Sequence, residues 1–366
     1  MIPEAGLSRR RFVERLLAAG AGLPAIASFL AACRRDEVPR GDTPRPLPPE
    51  IEPNLRIYNW SDYIGETTIA DFEKEFRVRV TYDTYESNED LIAKLQAGAT
   101  GYDLIVPTGY AVRVLRELDL LEPIHRTALR NWQNLDSRFV GQPFDPENRY
   151  TVPWQWGSAG LAVRTDLVPY RPDSWGVFHD ARLRGKLTQL DDMRDVIGCW
   201  LKYRGKSLNS VDPEALAQAR ADALAAKPNL KSYVSAPVKS QLIAGDVWVA
   251  HLWNGDTAQA RTANPAIEFV LPKEGSMVYL DSLCSPRGAR NRRAAHVFMD
   301  YVLRPDVAAA ISRRTGYGSP NAVAVGQEPN LLQPPTAEEL NRMEYQEDLG
   351  AATQEWDRIW TEIKAG

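Results

Sequence analysis

Leu55-Arg56-Ile57-Tyr58 predicts a strand, and Asn59-Trp60-Ser61-Asp62-Tyr63 follows it at once. Ile69, Phe72 and Phe76 then recur at the spacing of one helix face, and Val78, Val80 and Tyr82 alternate as a second strand. Ser87 stands where a helix cap belongs, with Asp90 three residues on, Leu91 and Leu95 on one face, and Gly98 to stop the helix. Leu104-Ile105-Val106 is a short apolar strand ending at Pro107, and Val112 and Leu115 open the next helical pattern. Strand, helix, strand, helix, strand is the order of a parallel sheet with helical crossovers, so the class is α/β. Ligands of such sheets bind beyond the C-terminal ends of the strands. That rule brings Asn59–Tyr63 and Thr108-Gly109-Tyr110 to one rim.

The pattern repeats further along. Gly185–Leu190 runs into Asp191-Asp192, and Val247–Leu252 runs into Trp253-Asn254-Gly255-Asp256. Val278–Leu283 reads as a strand, and Ala294–Leu303 as a helix.

The N-terminal end carries a different message. Ser8-Arg9-Arg10-Arg11-Phe12-Val13 is a twin-arginine export pattern, and the apolar run Leu16–Ala32 ends in Leu30-Ala31-Ala32-Cys33. Gly20, Gly22 and Pro24 interrupt that run, which is short for a bilayer span. Residues 1–32 are therefore expected to be a signal peptide, and Cys33 the lipidated first residue of a mature chain tethered outside the cytoplasm. Residues 33–53 hold six prolines among charges, the composition of a stiff, solvated linker.

Taking 32 residues from 366 leaves 334, usually two domains. Four arginines and two glutamates leave with them, which moves the net charge from −4 to −6. Mild acidity disfavours nucleic acid and suits a cationic ligand. Cys199 and Cys284 either pair or stand as two buried thiols; the sequence leaves both open. The four histidines lie far apart without metal-ligand spacing, and neither metal nor cofactor is expected.

Aromatic and acidic residues recur together at the strand ends: Trp60, Tyr63, Tyr110, Trp253 and Tyr279 beside Asp62, Asp192, Asp256 and Asp281. Ring faces attract cations, and carboxylates supply charge-assisted hydrogen bonds to ammonium groups. Each residue taken singly reads equally well as a turn former, a helix cap or core. The set points to a box for an organic amine. Enzymatic patterns are missing: there is no Gly-x-Ser-x-Gly, no His-Glu-x-x-His, no paired-cysteine motif and no phosphate-cradling glycine loop. Asp191-Asp192 is weak as a catalytic pair, since neighbours on a strand face opposite ways.

At these residues the chain resembles the polyamine-binding (spermidine/putrescine) substrate-binding proteins of bacterial ABC importers. The resemblance runs through Tyr58–Tyr63, Thr84–Glu89, Tyr102–Pro107, Pro143–Pro146, Trp253-Asn254-Gly255, Pro272–Gly275, Asp281-Ser282-Leu283 and Leu303–Ala308. It implies a two-lobed periplasmic-binding-protein fold of type II, closing on ligand about a hinge. Lobe 1 would hold residues 54–157 plus 280–322, and lobe 2 residues 158–279 plus 323–366. The crossings would lie near Trp156-Gly157-Ser158 and Tyr279-Leu280.

The resemblance also implies site roles. Trp60, Tyr63, Ser61 and Asp62 match the first contact loop, Thr108 stands where the family often has Ser, and Tyr110 matches a second ring. Asp192 matches a carboxylate that takes an amine end. Asp195 stands in place of a Glu, one methylene shorter. Trp253 and Asp281 match a stacking ring and the central acid, Asp256 an extra acid of putrescine-type sites, Tyr279 a ring that is often Trp, and Gln346 an amide of the second lobe. Glu86 and Ser87 read as structural, capping the following helix.

The implied activity is capture without chemistry: a monomeric periplasmic protein takes up a di- or triamine and passes it to an ABC permease and its ATPase. The alternatives are another organic cation, such as an agmatine-like guanidine, or a ligand sensor of the same fold. An extracytoplasmic hydrolase or carboxylate-based glycosidase is a rival from another class, and a substrate-binding protein for an anion or iron is a nearer one.

Overall fold

Parallel pairing begins where the alternating pattern predicts it. Asn54–Trp60 (β1), Arg79–Tyr85 (β2) and Leu104–Ile105 (β3) lie side by side with β1 central, joined through helices Thr68–Phe76 (α1) and Asn88–Gln96 (α2). The computed structural model describes residues 43–98, 101–235, 237–332 and 336–366. The twin-arginine pattern, the apolar run and Cys33 lie outside the described residues. Ser87 caps α2 through its hydroxyl, which accepts from the Asp90 N–H at 3.1 Å, and Gly98 turns left-handed (φ 79°) to end it. Helix Gly109–Glu117 (α3) follows β3, and Leu121–Glu122 (β4) follows α3.

Two long strands organise the rest. Thr151–Arg164 (β5) and Ser276–Pro286 (β10) are buried along their whole length and pair antiparallel, with Gly157 opposite Tyr279 and Trp156 opposite Leu280. At one end β10 also pairs with β3 and β4. The other end of β5 pairs with Val249–Trp253 (β8) and Ile267–Val270 (β9). Leu187–Gln189 (β6) lies parallel to β8 and to Leu230–Tyr233 (β7). The strand order is thus β2-β1-β3-β10-β5-β8-β6-β7. Met343–Tyr345 (β11) adds to β10 beside Met277.

Helices Met193–Tyr203 (α4), Pro213–Ala226 (α5), Val238–Ala244 (α6) and Asn254–Ala263 (α7) accompany β6 to β9. Arg292–Val302 (α8), Pro305–Thr315 (α9) and Ala322–Gln327 (α10) follow β10, and Ala337–Leu340 (α11) and Thr353–Ala365 (α12) close the chain.

The apolar interior divides as the strands do. Leu55, Ile57, Phe72, Leu104 and Phe298 form one cluster. Trp175, Phe178, Trp200 and Trp356 form another, under α4, α5 and α12. Burying each such side chain is worth about 1.5–3 kcal/mol. Cys199 and Cys284 are both buried and both free, in separate clusters.

The described end of the proline-rich stretch is less solvated than its composition suggests. Arg45 reaches Glu122 at 2.7 Å, and its carbonyl accepts from the Arg292 guanidinium at 2.8 Å. Glu52 accepts from the Ala294 N–H at 2.9 Å in the first turn of α8, where a negative charge suits the helix dipole. Charge pairing, invisible in a run of prolines, holds this segment against the body. Among the described residues no helix is long and apolar enough to cross a membrane.

Candidate functional site

The loops beyond the C-terminal ends of β1, β3, β6 and β8 face a shared cavity of about 110 Å³. Trp60, Ser61, Asp62, Tyr63, Thr108, Tyr110, Asp192, Asp195, Trp253, Asp256, Tyr279, Asp281 and Gln346 all line it. The structure therefore brings together all thirteen residues that the sequence and the resemblance offered as ligand contacts. It adds Glu86, Asn88, Lys239, Met277 and Tyr317. Lys239 is the one cationic side chain among the described lining residues, against five aspartates and a glutamate. No group of three or more His, Cys, Asp or Glu side chains among the described residues is placed to hold a metal ion.

Asp281 sits in the middle of β10, 4% exposed. The Tyr63 hydroxyl donates to one carboxylate oxygen at 2.8 Å and the Thr108 hydroxyl to the other at 2.7 Å. Thr108 is held in turn by Asn88, whose amide donates to its hydroxyl at 3.1 Å and accepts from its N–H at 3.2 Å. Burial pushes the Asp281 carboxyl up to about 7, against the pull of these two donors. The rings around it are anchored too. The Trp60 indole donates to the Val106 carbonyl at 2.9 Å, and Tyr317 meets Tyr63 edge-on at 4.9 Å.

A second acidic station forms at the start of α4. Asp192 caps this helix by accepting from the Asp195 N–H at 2.9 Å. Asp195 accepts from the Trp253 indole at 3.1 Å and, more weakly, from the Gln346 amide at 3.5 Å. Glu89 stands nearby, taking the Tyr110 hydroxyl at 3.1 Å. Burial raises the carboxyls of Asp192, Asp195 and Glu89. Repulsion from Asp192 adds to it for Asp195 and Glu89, while Arg194, 5.2 Å from the Tyr110 ring centre, partly offsets it. Asp191 turns away from its neighbour to pair with Lys364 at 2.8 Å. The two aspartates diverge as expected, although they lie in the turn beyond β6 rather than on a strand.

The third station is already occupied. The Lys239 ammonium lies 2.9 Å from Asp62, 3.0 Å from Asp256 and 2.9 Å from the Gln259 amide oxygen. The hydrogen bond from Lys239 pulls the Asp62 carboxyl below its usual range. Burial lowers the Lys239 amine, but Asp256 and Asp62 outweigh it and hold the lysine charged. Asp62 takes a left-handed backbone conformation (φ 53°), which an aspartate tolerates better than most residues. Glu86, expected only to help cap a helix, lines the cavity and accepts from the Ser61 hydroxyl at 2.6 Å.

Two glycines make room for this arrangement. A side-chain carbon on Gly157 would strike the Tyr279 hydroxyl and Asn254, and one on Gly255 would enter the Tyr317 ring.

A profile of the bacterial extracellular solute-binding proteins matches residues 67–338. The chain belongs to this family. It is 33% identical over 368 residues, 98% of its own length and 99% of the relative's, to the spermidine/putrescine-binding periplasmic protein of Escherichia coli K12. Among solved structures, a putative spermidine/putrescine ABC transporter protein from Listeria monocytogenes matches with a TM-score of 0.81 at 33% identity, covering 86% of this chain and 99% of that one. A lipoprotein of Treponema pallidum matches with a TM-score of 0.79 at 32% identity, covering 86% and 100%. The fold is the two-lobed fold of periplasmic binding proteins.

Proposed function

We propose that this solute-binding protein captures a linear polyamine of the putrescine/spermidine class outside the cytoplasm and delivers it to an ABC permease and its ATPase. The observation that carries the reading is Asp281: a buried carboxylate between two hydroxyl donors, in a ring-lined cavity with one lysine against six acids. An anion binder would need the opposite charge balance. The names of the relatives support the same class of ligand. Trp60, Tyr63, Trp253 and Tyr279 would sandwich the methylene chain, while Asp281, Asp192 and Asp195 pair with nitrogens.

The lobe division 54–157 plus 280–322 against 158–279 plus 323–366 would draw the cavity lining from both lobes, although Ala324 and Leu331 pack on Ala308 and Ala309 and so extend the first set past residue 322. Trp60, Tyr63, Thr108 and Asp281 come from the first set, and Asp192, Trp253 and Tyr279 from the second. A hinge at Trp156–Ser158 and Tyr279-Leu280 would let the sets part and close, expelling water and strengthening each ion pair. The reading is binding without catalysis, by a monomer exported through residues 1–32 and anchored at Cys33.

Isothermal titration with putrescine, cadaverine, spermidine and spermine tests the ligand class. Saturable binding of at least one is expected; heat from none of the four ends the polyamine reading. Loss of polyamine uptake on deleting the gene, in cells that retain the permease and ATPase, tests delivery. Undiminished uptake would make the protein a sensor instead.

A further inference from the structure

We propose that Lys239 is a resident ammonium that closes the Asp62–Asp256 end of the cavity and limits the ligand to a short diamine. This rests on the polyamine reading above and sharpens it to a ligand length.

An ammonium group carries three protons and no acceptor. Lys239 has three acceptors on three different side chains, Asp62, Asp256 and Gln259, all within 3.0 Å. Its bonding capacity is filled. The Gln259 amide is itself fixed, because its nitrogen donates to the Thr315 carbonyl at 2.8 Å. The Lys239 side chain is 20% exposed and that of Asp256 is 15% exposed, so this pair is enclosed, while Asp62, 58% exposed, closes the lysine from the solvent side. Lys239 comes from α6 and Asp62 from the loop after β1, 177 residues apart in sequence.

Geometrically, then, Lys239 does at this end what an amine terminus of a long ligand would do. Two acidic stations remain without an ammonium: Asp281, and the Asp192–Asp195 pair. Two stations take two nitrogens. A third nitrogen on a longer chain meets an end whose carboxylates are already paired and whose charge is half neutralised. To enter, it must pull Lys239 from three bonded partners and leave that amine to find others. Specificity is therefore set by an occupant of the site rather than by its walls.

Calorimetry on the whole mature protein and on Lys239→Met, Lys239→Gln and Lys239→Arg separates the possibilities. The ligands are putrescine, spermidine and octamethylenediamine, a diamine of nearly the span of spermidine with one charge fewer. Removing the lysine charge is expected to raise affinity for both long ligands relative to putrescine by about tenfold or more, and Lys239→Arg to keep the wild-type ranking. If the ratio rises for spermidine but not for octamethylenediamine, Lys239 acts only through its charge and the proposal is overturned. Unmoved ratios overturn it as well, with the polyamine reading intact. Failure of the wild type to bind any amine overturns both. A crystal structure of the wild type with putrescine decides independently of any variant's folding. Lys239 should remain on Asp62 and Asp256, and a ligand nitrogen in its place would refute the proposal.

Discussion

Replacing Asp281 with Asn should weaken polyamine binding severely while leaving the empty protein at least as stable. The carboxyl titrates near 7 in the folded chain, against 3.8 for an ordinary aspartate. A gap of three units at about 1.4 kcal/mol each means that ionising Asp281 costs the folded state roughly 4 kcal/mol. The sign follows from proton binding. The folded chain holds this proton more tightly than the unfolded chain, so the contribution to stability falls as pH rises from about 4 to 7 and is flat above. Asparagine removes the charge and keeps the shape. Its amide oxygen can take one hydroxyl, and the other hydroxyl can rotate to accept from the amide nitrogen, so near pH 8 the ligand-free melting temperature should not fall. With ligand, an ammonium would face a neutral amide in an enclosed site, a loss of about 2–5 kcal/mol or roughly 30- to several-thousand-fold in affinity. Calorimetry gives the affinity and scanning fluorimetry the melting temperature. An affinity loss no greater than that of Asp62→Asn, or a melting temperature that drops with the substitution, would refute the account of Asp281 as a charge held ready for the ligand.

Three further outcomes follow from the same geometry. Affinity for any polyamine should fall by up to tenfold per unit as pH drops below about 7, because protonation of Asp281 competes with the ammonium; titration across pH checks this, and a flat profile contradicts it. Trp253→Phe keeps a ring but removes the indole donor to Asp195, which should cost about 1 kcal/mol, or roughly fivefold in affinity; wild-type affinity would detach that hydrogen bond from binding. In a Cys33→Ser chain without reductant, Cys199 and Cys284 should resist thiol reagents when native and both react once unfolded, since burial pushes both thiols up; reaction only after reduction would reveal a disulfide.

The acceptor rim was legible because a simple rule governs it. Trp60 and Trp253 end their strands and Thr108 and Asp192 follow theirs, strands that alternation or apolar runs pick out, and such ends converge in an α/β sheet. Asp281 and Tyr279 were harder, since they sit within β10 and reach the cavity because that strand pairs with β5 beneath it. Gln346 came only from resemblance: nothing in Glu344-Tyr345-Gln346 announces a site. Tyr317 was missed although a signal existed. It lies between Gly316 and Gly318, and Gly255 leaves space for its ring, so a tyrosine between two glycines after a helix was worth marking. Lys239 carried no signal at all. On the seven-residue helix α6, a lysine reads as solvated surface charge, and only the tertiary approach of Asp62 and Asp256 gives it another role.

The directions of titration set Asp62 apart from the other acids of the cavity. Asp62 is pulled down, the mark of a carboxylate whose cation is present, whereas Asp281, Asp192 and Asp195 are pushed up, the mark of buried carboxylates without one. Asp256 is raised as well, because its burial outweighs the pull of Lys239, so for this acid the ion pair and not the direction of the shift marks the cation. A cavity lined with acids would by this logic be a reservoir of repulsion if it were empty throughout. The chain relieves one end with its own amine and the rest only in part, through Arg194 near Asp192 and Asp195 and the two hydroxyls on Asp281. The unrelieved part is where a ligand gains most, because every ammonium that enters removes a cost already present in the empty site and not merely one created by its arrival.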